Sequence, residues 1–221
     1  MKSWLDSVLK PCHDDVMKII AFLSQKGGSG KTTLAVHTAV AAHETGQRVV
    51  VVDTDPQRSA TVWSESRDAT EPVVATAAPS ELGRVIKAAQ AEAMDLAIVD
   101  TAPHAAPEAA SIARAANFVV IPCRPTAFDL AAAASAAAIV KAAGVPGAFV
   151  LSACPFRAPE IAEARAVLEA YGLPVAPPEI TDRRAFARAI ATGRAVTEFE
   201  ANGRAAAEIR ALWTWLEEQL A

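Results

Sequence analysis

The sequence predicts an α/β fold, a doubly wound, mainly parallel sheet with helices on both faces. Three observations predict it. Short β-branched runs alternate with alanine-rich helical stretches along the chain. The runs are apolar at nearly every position, the pattern of strands covered on both sides. The first run leads into a glycine-rich turn, SQKGGSGKTT, and then directly into a helical stretch, which is a strand–loop–helix unit.

The elements follow in order. Residues 18–24 (KIIAFLS) read as the first strand, and 32–45 as a helix stopped by Gly46. Further strands are expected at 48–53 (RVVVVD), 95–100 (DLAIVD), 118–122 (FVVIP) and 148–154 (AFVLSAC), with a weaker one at 71–78 (EPVVATAA). Helices are expected at 80–93, 107–116, 128–143, 159–171, 182–191 and 203–220. No linker, repeat or low-complexity tail interrupts them, so residues 17–221 read as a single domain. Residues 1–16 form an N-terminal extension. There Trp4, Leu5, Val8 and Leu9 would make one helical stripe, to pack on the domain or to meet a partner.

Composition narrows the function. At 221 residues the chain can bury a substantial core. A net charge of −4 gives no overall basic signal for nucleic acid. Cys12, Cys123 and Cys154 lie far apart and match neither a disulfide framework nor zinc spacing, as expected in a reducing cytosol. The four histidines form no ligand cluster in sequence, and no apolar run reaches membrane-spanning length.

The glycine turn carries the chemistry. In the phosphate-loop pattern G-x-x-x-x-G-K-[ST], the end is supplied by Gly30, Lys31 and Thr32. The opening glycine falls at position 25, which holds Gln25, and a second lysine, Lys26, follows it. Backbone N–H groups from Gly27 to Thr33 (Gly27, Gly28, Ser29, Gly30, Lys31, Thr32, Thr33) would converge on phosphates at a helix N-terminus. Lys31 would meet the β- and γ-phosphates of ATP and Thr32 would ligate Mg²⁺. Asp53, Asp55 and Asp100 end apolar strands, where ligands bind in such sheets. Aspartates there also cap the turn or helix that follows a strand.

With these residues in view, KGGSGKTT resembles the deviant Walker A motif of the ParA/MinD ATPases, closest to the small, ParF-like plasmid-partition proteins. The resemblance covers about residues 17–220. It implies that Lys26 reaches across an ATP-dependent homodimer to the phosphates held by the other subunit; by spacing alone, a solvated loop lysine stays open. VVDTDPQRS (51–59) is similar to the family's first switch, which implies that Asp55 positions the attacking water and that Asp53 supports the Mg²⁺ site or its waters. LAIVDTAP (96–103) is similar to the Walker B strand, which makes Asp100 a carboxylate for Mg²⁺. The following DTAPH departs mildly from the family's second switch, with His104 as an exposed loop residue. Pro122 and Pro125 resemble the family's P-x-x-P stretch beside the adenine, although prolines end strands in any case.

The last third, EITDRRAFARAIATGRAVTEFE (179–200) and beyond, resembles the part of small ParA proteins that closes the nucleotide site and contacts DNA. Arg183, Arg184, Arg188 and Arg204 are the candidate contacts for non-specific DNA, alongside the alternative of a solvated helix face with local ion pairs. Arg84 and Lys87 would extend the strip. The resemblance implies slow, Mg²⁺-dependent ATP hydrolysis stimulated by a ParB-like or cargo-adaptor protein, in a cytoplasmic protein that joins the nucleoid in its ATP state. Two rivals are a MinD-like membrane-cycling ATPase and a metabolic enzyme on the same scaffold. Glu217 and Glu218 sit where the last helix of the first rival would carry cations, so no membrane contact is expected.

Overall fold

A computed structural model of the chain describes residues 17–103 and 106–221. The expectations for Trp4, Leu5, Val8, Leu9 and His104 fall outside the described residues. Six strands form one all-parallel sheet: β1 (Lys18–Phe22), β2 (Val49–Asp53), β3 (Val73–Thr76), β4 (Leu96–Asp100), β5 (Phe118–Cys123) and β6 (Gly147–Leu151). Their order across the sheet is β3-β2-β4-β1-β5-β6. The helices are α1 (Lys31–Glu44), α2 (Ser59–Glu65), α3 (Leu82–Ala91), α4 (Ala106–Ala115), α5 (Ala127–Ala143), α6 (Glu160–Glu169), α7 (Arg184–Ile190), α8 (Val196–Phe199) and α9 (Arg204–Leu220).

Strands that look uniformly apolar in sequence divide by alternate residues between two cores. Ile20, Phe22, Val51, Ile98 and Val120 pack against α1 and the α7–α9 layer. Ile19, Ala21, Val50, Val99 and Ile121 pack against α3 to α6. Period-2 alternation survives, but both faces are apolar because both are covered. Helix α1 is buried from Leu34 to Ala42, pressed between the sheet and α9. Its alanines permit that close approach on both sides.

The expected elements are present with shifted ends, and two features go beyond expectation. Helix α2 occupies a stretch with no helix expected. The arginine-bearing stretch after residue 182 breaks into α7 and α8, separated by a turn at 191–195. Helix α9 buries Ile209, Leu212, Trp213 and Leu216, so its apolar stripe is spent on the core.

The topology fixes where a ligand can sit. Strand β1 is central, with β4 on one side and β5 on the other, and the chain departs in opposite directions from it. The crevice beyond the carboxyl ends of β1, β4 and β5 is the switch point of the sheet. The glycine turn, Asp100 and the β5–α5 loop all lie there.

Candidate active site

The loop from β1 to α1 is held for anion binding. Gly28 and Gly30 take left-handed φ values of 73° and 98°, which a residue with Cβ adopts at a cost. Gly30 caps α1 and no side chain caps it, so the first N–H groups of α1 face the loop. The end of β6 braces the loop, with the Ser152 hydroxyl donating to the Ser29 carbonyl at 2.8 Å. Lys31 is buried, and its ammonium lies 3.5 Å from the Lys26 carbonyl. Burial lowers its pKa, while Asp100 and then Asp55 pull it back up.

The acids meet that loop from neighbouring strands. Asp53 of β2 stands beside Asp100 of β4 in the sheet register. Asp100 is fully buried, and the Thr32 hydroxyl donates to its Oδ2 at 2.6 Å. Its Oδ1 has no partner among the described residues. Burial pushes the carboxyl up to about 7, aided by Asp53 and Asp55 and opposed by Thr32 and Lys31. An orphaned carboxylate oxygen beside a threonine hydroxyl is an oxygen donor set that suits Mg²⁺, and a cation there would stabilise the ionised acid. The residues present therefore fit the metal expected from the sequence.

Asp53 is engaged differently. Its Oδ1 accepts the Asp55 N–H at 3.1 Å, and its Oδ2 accepts the N–H and hydroxyl of Thr61 at 2.9 and 2.8 Å. Oδ1 thus holds the loop after β2 and Oδ2 ties the strand end to α2, so any metal support from Asp53 acts alongside this anchoring. Asp55 is half-buried and accepts the Gln57 N–H at 2.9 Å. It lines a cavity of about 320 Å³ together with Gly27, Gly28, Lys31, Thr32 and Pro103. That cavity brings together the lysine, the hydroxyl and the acid expected to act on the terminal phosphate.

Lys26 lies across the loop, where its ammonium is 2.6 Å from Oδ2 of Asp129. Asp129 is buried near the start of α5 and also accepts from the Thr126 hydroxyl, the N-cap of that helix, at 2.5 Å. The lysine expected to act on a partner subunit is thus paired within its own chain.

A second cavity, about 330 Å³, opens on the other side of the loop. It is lined by Ser29, Gly30, Thr33, Ser152, Ile180, Phe186 and Arg124, among others. Its size and mixed lining suit a nucleoside. Pro122 lies inside β5 opposite Val150 and Pro125 is half-buried in the loop after it. Neither lines the cavity; the two prolines bracket the loop that borders it. The residue of that loop that faces the cavity is Arg124. Segment 180–182 forms the opposite rim by pairing beyond β6, where the Cys154 N–H donates to the Ile180 carbonyl at 2.9 Å.

The candidate DNA arginines separate. Arg183 is half-buried and directs Nε and Nη2 at Oε1 of Glu208, 3.1 and 2.7 Å away. Arg184, Arg188 and Arg204 are exposed, and Arg188 lies over the ring of Phe199 at 5.2 Å. These three are free to face a polyanion. Arg84 pairs with Glu81 at 3.0 Å.

A bracket joins α2 to the same layer. The Arg67 guanidinium, almost fully buried, lies 4.5 Å over the ring of Trp63 and forks onto Glu198 at 2.7 and 3.0 Å. It also donates to the carbonyls of Gly193 and Glu71, and the Trp63 indole donates to the Arg194 carbonyl at 3.3 Å. On α1, His37 accepts the Val196 N–H at 3.1 Å through Nδ1. Burial holds its imidazole down at about 3, against the raising pull of Glu198. Nothing in the residue spacing signals these partners, because they join segments far apart in the chain.

Comparison with known proteins gives the family and the fold. Residues 20–196 match the model of the CobQ/CobB/MinD/ParA nucleotide binding domain. The maintenance of carboxysome distribution protein A of Gloeobacter kilaueensis is 30% identical over 207 residues, covering 92% of this chain and 94% of that protein. Protein ParA of Rhizobium radiobacter is 31% identical over 115 residues, 51% of each chain. Among solved structures, the cell division ATPase MinD of Pyrococcus furiosus shares the fold with a TM-score of 0.77. Its sequence identity is 20%, with coverage of 92% of this chain and 99% of that one.

Proposed function

The chain belongs to the CobQ/CobB/MinD/ParA nucleotide-binding family, and from that premise we propose that it is a ParA-type positioning ATPase. In this reading ATP closes a homodimer that binds DNA without reading sequence, and a partner protein stimulates hydrolysis and release. The observation that carries it is the placement of Lys26, Lys31, Thr32, Asp55 and Asp100 around one loop and cavity. Lys31 and the loop N–H groups hold the phosphates, and Thr32 and Asp100 would hold Mg²⁺, which supplies charge neutralisation between phosphates when bound. Asp55 accepts a proton from, or orients, the attacking water. Lys26 exchanges Asp129 for a phosphate across the dimer.

The cargo is proposed from the relatives. Two carboxysome-distribution proteins align over most of this chain, which favours a large protein assembly or a plasmid as the object moved. A membrane-cycling role gains no support from α9, because its apolar face is buried. No helix among the described residues is long and apolar enough to cross a membrane.

The test is binding to a random-sequence duplex without nucleotide, with ADP and with ATP, each with Mg²⁺. Binding only with ATP, lost in Lys26→Ala and kept in Asp55→Ala, supports the reading. Absence of DNA binding in every state overturns it.

A further inference from the structure

We propose that Arg124 is a nucleotide-binding residue, its guanidinium clamping the polyphosphate of the bound nucleotide from the β5–α5 loop. The inference deepens the reading of this site as a nucleotide site and rests on it. Three observations carry it. Nη2 of Arg124 lies 3.9 Å from the position a Cβ on Gly28 would take, so the side chain arches over the phosphate loop itself. Arg124 also lines the nucleoside cavity beside Ser29, Gly30 and Thr33. And its guanidinium makes no hydrogen bond or ion pair with any described residue, although its backbone is fixed, the Arg124 carbonyl accepting the Thr126 N–H at 2.8 Å.

Charge accounting at the loop explains why such a residue is wanted. Lys26 is neutralised by Asp129. Lys31 is buried, and its ammonium is turned to the Lys26 carbonyl at 3.5 Å. A guanidinium stays protonated under all working conditions and presents a planar fork of donors that matches phosphate oxygens. Arg124 is thus the cation at this loop whose charge is fully available to an incoming anion. An arginine with a structural task holds a carbonyl or carboxylate of the fold, as the buried Arg67 and half-buried Arg183 do.

The test measures the affinity of the full chain for fluorescent ADP and ATP with Mg²⁺, for inorganic tripolyphosphate and for adenosine. Arg124→Ala should weaken ADP, ATP and tripolyphosphate by about 10- to 100-fold. Adenosine binding and the melting temperature without nucleotide should stay as in the parent, and Arg124→Lys should recover part of the loss. Unchanged affinity for ADP and ATP overturns the proposal. So does a loss confined to adenosine, which would put Arg124 on the base, or a loss matched by a lower nucleotide-free melting temperature, which would make it a support of the loop. Lys31→Ala runs alongside. If it binds nucleotide like the parent, or the parent binds none, the underlying site reading fails and takes this proposal with it.

Discussion

The two ends of the functional surface are built on different terms. At the carboxyl edge of the sheet, polar side chains are buried and under-satisfied: Asp100 keeps an orphaned oxygen, Lys31 is desolvated, and glycines hold left-handed turns. In the α7–α9 layer, the charged side chains are either exposed or ion-paired, as with Arg183 on Glu208 and Arg67 on Glu198, and of the buried polar atoms only Arg67 Nε and the Thr197 hydroxyl lack a partner among the described residues. The first end forgoes stability to meet a ligand. The second is ordinary stable packing with a few arginines left over, so changes at the two ends should fail in different ways.

The sharpest test of that contrast is Asp55→Ala. ATP turnover should fall by about 100-fold or more while nucleotide affinity is kept, as measured by steady-state phosphate release and by titration. Lys31→Ala should instead lose nucleotide affinity by about 100-fold, with the melting temperature unchanged or raised because a buried charge is removed. If either substitution mainly unfolds the protein, the contrast breaks.

A third test uses pH. His37 has a folded pKa of about 3, below its ordinary 6.5, so the folded state resists protonation. Its contribution to stability is complete above pH 6.5 and is lost as pH falls toward 3, at up to about 1.4 kcal/mol per pH unit. Asp100 works in the opposite sense, since its carboxyl is raised to about 7 and its contribution is lost as pH rises from 3.8. The difference in denaturation midpoints between the parent and His37→Asn cancels Asp100 and should show the His37 slope alone.

Smaller effects separate the arginines. Arg183→Ala should cost about 1–3 kcal/mol of stability by leaving Glu208 short of partners, and should leave the salt slope of DNA binding in place. Arg184→Ala, Arg188→Ala and Arg204→Ala should each reduce that slope by about one contact without altering stability. A slope carried by Arg183 would blur the distinction between the two regions.

How much was legible in the sequence follows the same division. The phosphate loop was legible because anion binding fixes residue type and spacing locally: glycines for the turns, Lys31 and Thr32 at the helix start. The strands were legible because burial on both faces makes them apolar throughout. Helix α2 was not, since its start depends on Asp53 accepting from Thr61, a bond made only after β2 is placed. The Lys26–Asp129 pair spans 103 residues, and nothing near Lys26 announces it. Arg183 and Arg184 are neighbours in sequence, yet the fold commits one and frees the other. Arg124 was hidden because the prolines on either side drew the reading to the P-x-x-P pattern.

The Arg67 bracket has a mechanical consequence. Helix α2 begins at Ser59, which lines the cavity with Asp55, is tied to Asp53 through Thr61, and ends where Trp63 and Arg67 grip Gly193, Arg194 and Glu198. It is therefore a rod fastened at both ends, with the phosphate-loop cavity at one and the exposed arginines of the α7–α9 layer at the other. Any tilt that accompanies loss of a terminal phosphate there must either drag the far layer or snap a buried ion pair. In the proposed cycle, the grip on DNA and the state of the nucleotide would in this sense be geared together, with Arg67 as the tooth.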